Sequence, residues 1–248
     1  MLEQVIRSLE PITLEEMTGV KLMNRIDTKY LTTLPILEQL LHLSSKDFLI
    51  QENNGIRNAP YYTCYYDTPE IRMYYDHQRG KKSRRKIRIR EYVDSGVSPF
   101  LEIKNKNNKG RTKKKRVTME PGKILKDFED FVTEYSEFST YNLEPKIENR
   151  FNRITLVNKE KSERITIDTS LEFHNFVSNK DLLLPPLVII EWKRDGTSSK
   201  SQLKSLLREL RIQESGFSKY IIGMAMTDKD VPQNKIKKRL HFIEKLIG

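Results

Sequence analysis

The chain has 248 residues, 45 Lys+Arg against 34 Asp+Glu for a formal charge of +11, and 37% apolar residues, with 11 Tyr and 10 Phe. That length and composition suit a folded globule with a sizeable core and argue against a disordered chain. No run reaches the roughly 18 apolar residues of a membrane span, the N-terminal segment carries acids where a signal peptide is apolar, and the single cysteine, Cys64, excludes an internal disulfide and a cysteine metal cage. The expected setting is cytoplasmic.

In chain order, Leu22 to Thr32 reads as a strand, Leu34 to Leu43 as a helix and Tyr61 to Thr68 as a strand. Lys86-Ile87-Arg88-Ile89-Arg90 alternates strictly, with isoleucines on one face and cations on the other, which is the period of a strand. Phe100 to Lys104 repeats the pattern after an Asp94-Ser95-Gly96 turn, and Asn107-Asn108-Lys109-Gly110 turns into a third strand, Thr112 to Met119. A helix follows over Pro121 to Tyr135, with Pro121 near its start. Ile147 to Val157, Arg164 to Thr169 and Leu187 to Arg194 complete the strands. Ser199 to Ile212 and Pro232 to Ile247 read as helices, the latter with Ile236, Leu240, Ile243 and Ile247 on one face.

These eight strands, joined mainly by short connections, predict an α+β fold: an eight-stranded antiparallel β-barrel with peripheral helices. Nothing in the composition splits the chain. The expectation is one domain over 1–248, with a core at about 22–223 and an amphipathic C-terminal helix at about 232–247.

The charge is local. From Arg79 to Arg116 there are 16 basic and 3 acidic residues, so the rest of the chain is nearly neutral. Nucleic acid is the obvious partner for such a block, but the aromatics are not interleaved with the cations as a stacking platform requires. Among enzyme signatures there is no P-loop, no dinucleotide fingerprint, no H-E-x-x-H pair and no Cys/His zinc spacing. Any chemistry falls to Lys, Arg, Glu and Asp.

Six short elements place such residues on strands: Arg25 to Tyr30, Arg88-Ile89-Arg90, Glu102-Ile103-Lys104, Lys114-Lys115-Arg116, Arg150-Phe151-Asn152-Arg153 and Glu191-Trp192-Lys193. For any one strand, the wet face of an ordinary sheet explains the alternation. Six together point to a basic inner face, with Ile, Leu, Val and Trp packing outward against helices. Such a lining needs counter-carboxylates, for which Glu102, Glu191, Asp27 and Glu148 are candidates, or a polyanion. A phosphate chain answers Arg forks and Lys point charges alike. The cluster Lys81-Lys82-Ser83-Arg84-Arg85 lacks alternation and reads as an outer steering patch.

The order R-x-D-x-K-Y (Arg25 to Tyr30), Y-Y-D-T (Tyr65 to Thr68), R-x-R, E-x-K, K-x-R, R-F-x-R, R-I-T-I-D (Arg164 to Asp168), E-W-K and G-F-S-K-Y (Gly216 to Tyr220) resembles the VTC domain, the polyphosphate polymerase domain of the triphosphate tunnel metalloenzyme superfamily. The resemblance runs from about Met23 to Gly223. It implies an antiparallel tunnel that binds ATP and inorganic polyphosphate and transfers the γ-phosphoryl group onto a growing chain with Mn²⁺ or Mg²⁺. It places Lys29, Arg88, Arg90, Lys104, Arg153, Lys193 and Lys219 on phosphate-contacting basic positions, Lys114 and Arg116 beside them, and Glu191 on the metal-binding glutamate. Arg88, Arg90, Arg153 and Lys219 would act on the transferring phosphates; Lys29, Lys104, Lys114, Arg116 and Lys193 would bind the chain. Asp67 and Asp168 are either supporting carboxylates or structural residues at strand ends. In the hydrolase branch the first strand reads E-x-E-x-K; here Arg25-x-Asp27-x-Lys29 removes one carboxylate, which favours the polymerase branch. A tunnel hydrolase of triphosphates and a non-catalytic polyphosphate-binding module are the alternatives. Membrane-bound relatives couple synthesis to translocation; with no span in this chain, that step would fall to a separate partner.

Overall fold

The computed structural model describes residues 2–19, 25–93, 95–109, 111–195 and 201–248. Leu22 to Asn24 of the expected first strand, Asp94 and Gly110 of the turns, and Ser199 and Lys200 of the expected helix lie outside the described residues. The elements follow in the order α1 (Leu2–Ser8), β1 (Pro11–Ile12), β2 (Arg25–Thr33), α2 (Leu34–Ser44), β3 (Phe48–Gln51), β4 (Asn58–Asp67), α3 (Arg72–Gln78), β5 (Arg84–Tyr92), β6 (Phe100–Lys106), β7 (Thr112–Thr118), α4 (Glu129–Tyr135), β8 (Glu144–Asn158), β9 (Glu163–Asn175), β10 (Lys180–Leu184), β11 (Leu187–Asp195), α5 (Gln202–Glu209), β12 (Gln213–Glu214), α6 (Lys219–Thr227) and α7 (Lys237–Ile247).

One sheet holds all these strands. Its main path runs β12-β2-β11-β9-β8-β4-β5-β6-β7, with β10 on β9 and β3 on β8. Every pairing is antiparallel except the short β1–β3 ladder. The eight expected strands form the consecutive stretch from β2 to β7. The sheet rolls strongly: on β6, Lys104 senses the charges of Glu191 on β11 and of Lys29 and Asp27 on β2, although four strands lie between β6 and β11. Two register shifts on β8, opposite Tyr65/Tyr66 and between Arg150 and Asn152, add local twist to that curvature.

Closure is where the expectation needs correcting. Among the described residues β7 pairs only with β6 and β12 only with β2, so the sheet is a rolled open sheet, not a closed eight-stranded barrel. The edge explains itself: Lys113-Lys114-Lys115-Arg116 is exposed along β7, and a row of cations is a common means of keeping an edge strand unpaired.

Outside the roll, α1, α2 and α5 bury a stripe of Ile154, Leu156, Ile165, Ile167, Val188, Ile190 and Trp192, the apolar face expected of these strands. Fully burying a side chain of this size contributes roughly 1.5–3 kcal/mol. A second core joins α3, α4, α6 and α7 to the rest of the sheet. The helix expected from Pro121 starts later, because Pro121 and Gly122 form a turn, Gly122 with φ +82°, and a 3-10 turn at Leu125–Phe128 precedes α4. The C-terminal helix likewise begins at Lys237, although Leu240 and Ile243 are buried as the periodicity requires.

Helix α6 is seated unusually close to the sheet. It lies against β8, β9 and β10, and a Cβ on Gly223 would sit 2.7 Å from both Ile147 Cδ1 and Phe173 Cδ1. Only glycine lets the helix approach this closely. That seating presents the first residue of α6, Lys219, to the inner face.

Candidate phosphate-binding channel

The alternation of β5 decides its two faces. Ile87 and Ile89 join the core, while Arg84, Lys86, Arg88 and Arg90 share the opposite side. The ladders extend that side outward: Lys86 stands opposite Lys104, Arg88 opposite Glu102, Glu102 opposite Arg116 and Lys104 opposite Lys114. The register of β7 therefore puts Lys114 and Arg116 on the face of Lys104 and turns Lys113 and Lys115 away. On the other wall, Glu191 is opposite Lys29 and Thr166, and Lys193 is opposite Asp27.

Three carboxylates on the inner face are each clasped by two cations. Glu102 accepts from Arg88 Nε (2.8 Å) and from Lys114 Nζ (2.8 Å). Glu191 bridges Lys29 Nζ (2.8 Å) and Lys193 Nζ (3.1 Å). Asp168 takes a two-pronged contact from Arg153, Nε at 2.6 Å and Nη2 at 2.8 Å, and also holds Lys219. Burial opposes ionisation in all three, but the adjacent cations win: the Glu102 pKa is held to about 2, and those of Asp168 and Glu191 lie below their ordinary values.

The cations feel the opposite pressure. Burial, with the charges of Lys104, Arg88 and Lys29, brings Lys86 down to about 7. Burial brings Lys219 to about 7 despite Asp168, and Lys193 to about 8 despite Glu191. Arg90, buried and facing Arg88 and Arg153, falls to about 10. Burial is the largest cause for each lysine, and a polyanion beside them would offset it.

Aromatic rings support the deep end. Tyr61 stacks on Phe151 with centroids 5.2 Å apart, Arg153 lies 4.9 Å over the Tyr61 ring, and Lys219 Nζ is 3.9 Å from the Phe151 centroid. Ser218 caps α6 by accepting from the Ile221 N–H (3.4 Å) and also accepts from Lys86 Nζ (3.0 Å). Lys219 thus opens a helix, where a cation is unfavourable unless an anion is near; Asp168 is that anion.

All ten residues singled out from sequence, Lys29, Arg88, Arg90, Lys104, Lys114, Arg116, Arg153, Glu191, Lys193 and Lys219, lie along this inner face or at the helix end that meets it. Lys86, Thr166 and Tyr61 belong there as well and were not among them, although the strict alternation of β5 marks Lys86 as plainly as Arg88. Two expectations shift, and for Asp67 the structural one of its two alternatives is favoured. Glu148 lies on the outer face with Tyr62, whose hydroxyl donates to it at 2.9 Å, because it pairs with Cys64, which alternates with the inner positions Thr63 and Tyr65 opposite Arg90 and Arg88; Arg150 and Arg153, an odd number of residues apart, fall on opposite faces for the same reason. The basic cluster at 81–85 splits, since β5 already starts at Arg84: Arg84 joins the inner row, and Arg85 turns outward to Glu137 (3.0 Å). Asp67 is a structural fastening. It accepts from the backbone N–H of Thr68 (2.8 Å), Met73 (2.9 Å) and Tyr74 (3.0 Å) and from the Tyr220 hydroxyl (2.5 Å), tying β4 and α3 to α6.

The inner face offers hard oxygen donors but, among the described residues, no cluster of three metal-ligating side chains. No helix of the described chain is long and apolar enough to cross a membrane.

A model of the VTC domain matches residues 24–227. No curated protein matches the chain. Similar solved structures include a Vibrio parahaemolyticus protein provisionally assigned as an adenylate cyclase (13% identity, TM-score 0.48, covering 82% of this chain and 99% of the other). A Hippeastrum protein, provisionally assigned as an adenylyl cyclase and described as having dominant triphosphatase activity, is 15% identical with TM-score 0.49, covering 82% and 97%. A Bacillus halodurans protein with the same provisional cyclase assignment is 12% identical with TM-score 0.48, covering 79% and 96%.

Proposed function

The chain belongs to the VTC domain family, and from that premise we propose that it is a metal-dependent polyphosphate polymerase, moving the γ-phosphoryl group of ATP onto a growing polyphosphate chain in the basic channel. The observation that carries this reading is the excess of cations on the inner face. Among the described residues Lys29, Lys86, Arg88, Arg90, Lys104, Lys114, Arg116, Arg153, Lys193 and Lys219 converge there, outnumbering the carboxylates Asp27, Glu102, Asp168 and Glu191 set among them. A row of phosphates balances such a surface where a single carboxylate ligand does not.

Phosphoryl transfer asks little covalent work of a protein, only alignment of donor and acceptor and cover for charge on the equatorial oxygens. In the proposed reaction a terminal oxygen of the acceptor chain bonds to the γ-phosphorus as the bond to the β–γ bridging oxygen breaks and ADP leaves. Arg88, Arg90 and Arg153 grip the transferring phosphoryl group with planar forks. Lys219 approaches it from the start of α6, where a phosphate also gains from the helix N-terminus. Lys29, Lys104, Lys114, Arg116 and Lys193 hold the rest of the chain as point charges and forks.

Glu191 fits a divalent ion. It is a hard carboxylate, partly open, and its two partners are lysines that make single-point contacts, and Mg²⁺ or Mn²⁺ commonly takes one or two carboxylates with substrate oxygens. When bound, such an ion supplies positive charge to phosphate oxygens. The test is incubation of the pure protein with ATP and Mn²⁺. Polyphosphate and ADP should appear together; orthophosphate without chain growth would make the protein a tunnel hydrolase, and tight polyphosphate binding without turnover would make it a binding module.

A further inference from the structure

The inner rows of β5 and β6 continue past Lys86 and Lys104 to Arg84 and Lys106, which face each other in the ladder. There α3 and α7 meet the end of the channel. Arg239 of α7 sets its guanidinium against the Gly216 backbone, so close that a Cβ on Gly216 would lie 3.2 Å away, and Gly216 leads directly to Ser218, which holds Lys86. His77, in the last turn of α3, sits among these charges. Burial, then Lys86, Arg84, Arg239 and Lys106, hold its pKa to about 3, and its Nδ1 is buried with no hydrogen-bond partner among the described residues.

Among the described residues Arg84, Lys106 and Arg239 have no carboxylate at ion-pair distance. Farther in, Glu102, Glu191 and Asp168 clasp Arg88, Lys114, Lys29, Lys193, Arg153 and Lys219, and the unclasped Arg90, Lys104 and Arg116 adjoin those carboxylates. Like charges gathered beside a buried imidazole and left uncompensated are costly, and an anion that bridges them removes the cost. Arg239 lies beyond residue 227, the end of the family match.

We propose that Arg84, Lys86, Lys106 and Arg239 form a second anion site at the α3–α7 end of the channel, gripping the stretch of polyphosphate that extends past the phosphates held at Lys29, Arg88 and Lys104. The proposal rests on the polyphosphate reading of the channel. It requires that chain length, beyond the first few phosphates, be felt at Arg84 and Arg239.

Titration calorimetry at fixed ionic strength, with tripolyphosphate and with long-chain polyphosphate, tests it. Wild type should bind the long chain more tightly than tripolyphosphate. Arg239→Gln and, separately, Arg84→Gln should each weaken the long chain about tenfold, the scale of one lost charge-assisted hydrogen bond, and leave tripolyphosphate unchanged. Equal losses for both ligands, or no loss for either, would overturn the second site. So would displacement of the long chain by a single-stranded oligonucleotide as readily as by polyphosphate. Wild type that binds neither phosphate ligand would instead remove the underlying reading. Should one variant fail to fold, as read by its thermal melt, the other carries the test.

Discussion

Asp168 and Glu191 lie on adjacent strands, Asp168 opposite Ile189 and Glu191 two residues further on, and each carboxylate is held by two cations. Their surroundings differ. The Asp168 side chain is 6% exposed and is gripped by an arginine fork backed by Tyr61 and Phe151, while Glu191 is 19% exposed and, among the described residues, is held by the ammonium groups of Lys29 and Lys193. The first is a buried joint that fixes the positions of Arg153 and Lys219. The second is a more open clasp, and on the proposed reading it would exchange a lysine for a metal ion. On that reading the two carboxylates of one inner face divide into a joint and a metal clasp by what holds them.

Removing the joint should have the largest effect. Asp168→Asn leaves Arg153 and Lys219 buried side by side without their anion, and is expected to cost about 3–5 kcal/mol in denaturant unfolding; a loss below about 1 kcal/mol would erase the distinction. Glu191→Gln should do the reverse. Its stability should change by less than about 1 kcal/mol because the clasp is partly open, while Mn²⁺-dependent turnover falls about 100-fold. Equal destabilisation by the two variants would show that both carboxylates are joints.

Tyr220→Phe sharpens the comparison from behind Lys219. It removes one hydrogen bond to the Asp67 carboxylate and should cost about 1.5 kcal/mol in unfolding. Turnover should fall through Lys219, with metal affinity at Glu191 unchanged.

The smallest effect is a pH slope. In the ligand-free protein the Lys86 and Lys219 pKa values lie at about 7, below the ordinary 10.5, so the unfolded chain binds more protons between those limits. Thermal stability should therefore rise with pH across that window, the burial penalty being fully present below about 7. Bound polyphosphate raises both pKa values toward 10.5, so its binding should take up protons above pH 7 and weaken as pH rises. Calorimetry in buffers of different ionisation enthalpy checks the sign, and proton release on binding would contradict it.

Much of this architecture was legible in the sequence because strand periodicity reports faces directly. Lys86 to Arg90 and Phe100 to Lys104 alternate, and their inner and outer sides follow without further information. The strands β1, β3, β10 and β12 were not legible: two to five residues give too short a record of any period. Nor was the open edge, since whether β7 pairs with β2 depends on how far the sheet rolls, a sum of small twists over eight strands. Pairing of charges was legible only in part. Glu102 with Arg88 follows from adjacent strands, but Lys219 with Asp168 links a helix end to a strand 51 residues away. Arg239 at Gly216 and the Asp67 network depend in the same way on tertiary packing, to which period-2 reasoning is blind.

The Tyr220–Asp67 bond joins residues 153 apart in sequence. Contacts of such separation close late, because a long loop must be ordered before they form. The β2–β11 ladder spans more still, Lys193 standing opposite Asp27 166 residues away, so the wall that carries Glu191 and the helix that carries Lys219 both depend on late-closing contacts. A chain cut before residue 219 would lose Lys219 and the Tyr220 tie to Asp67 in a single step.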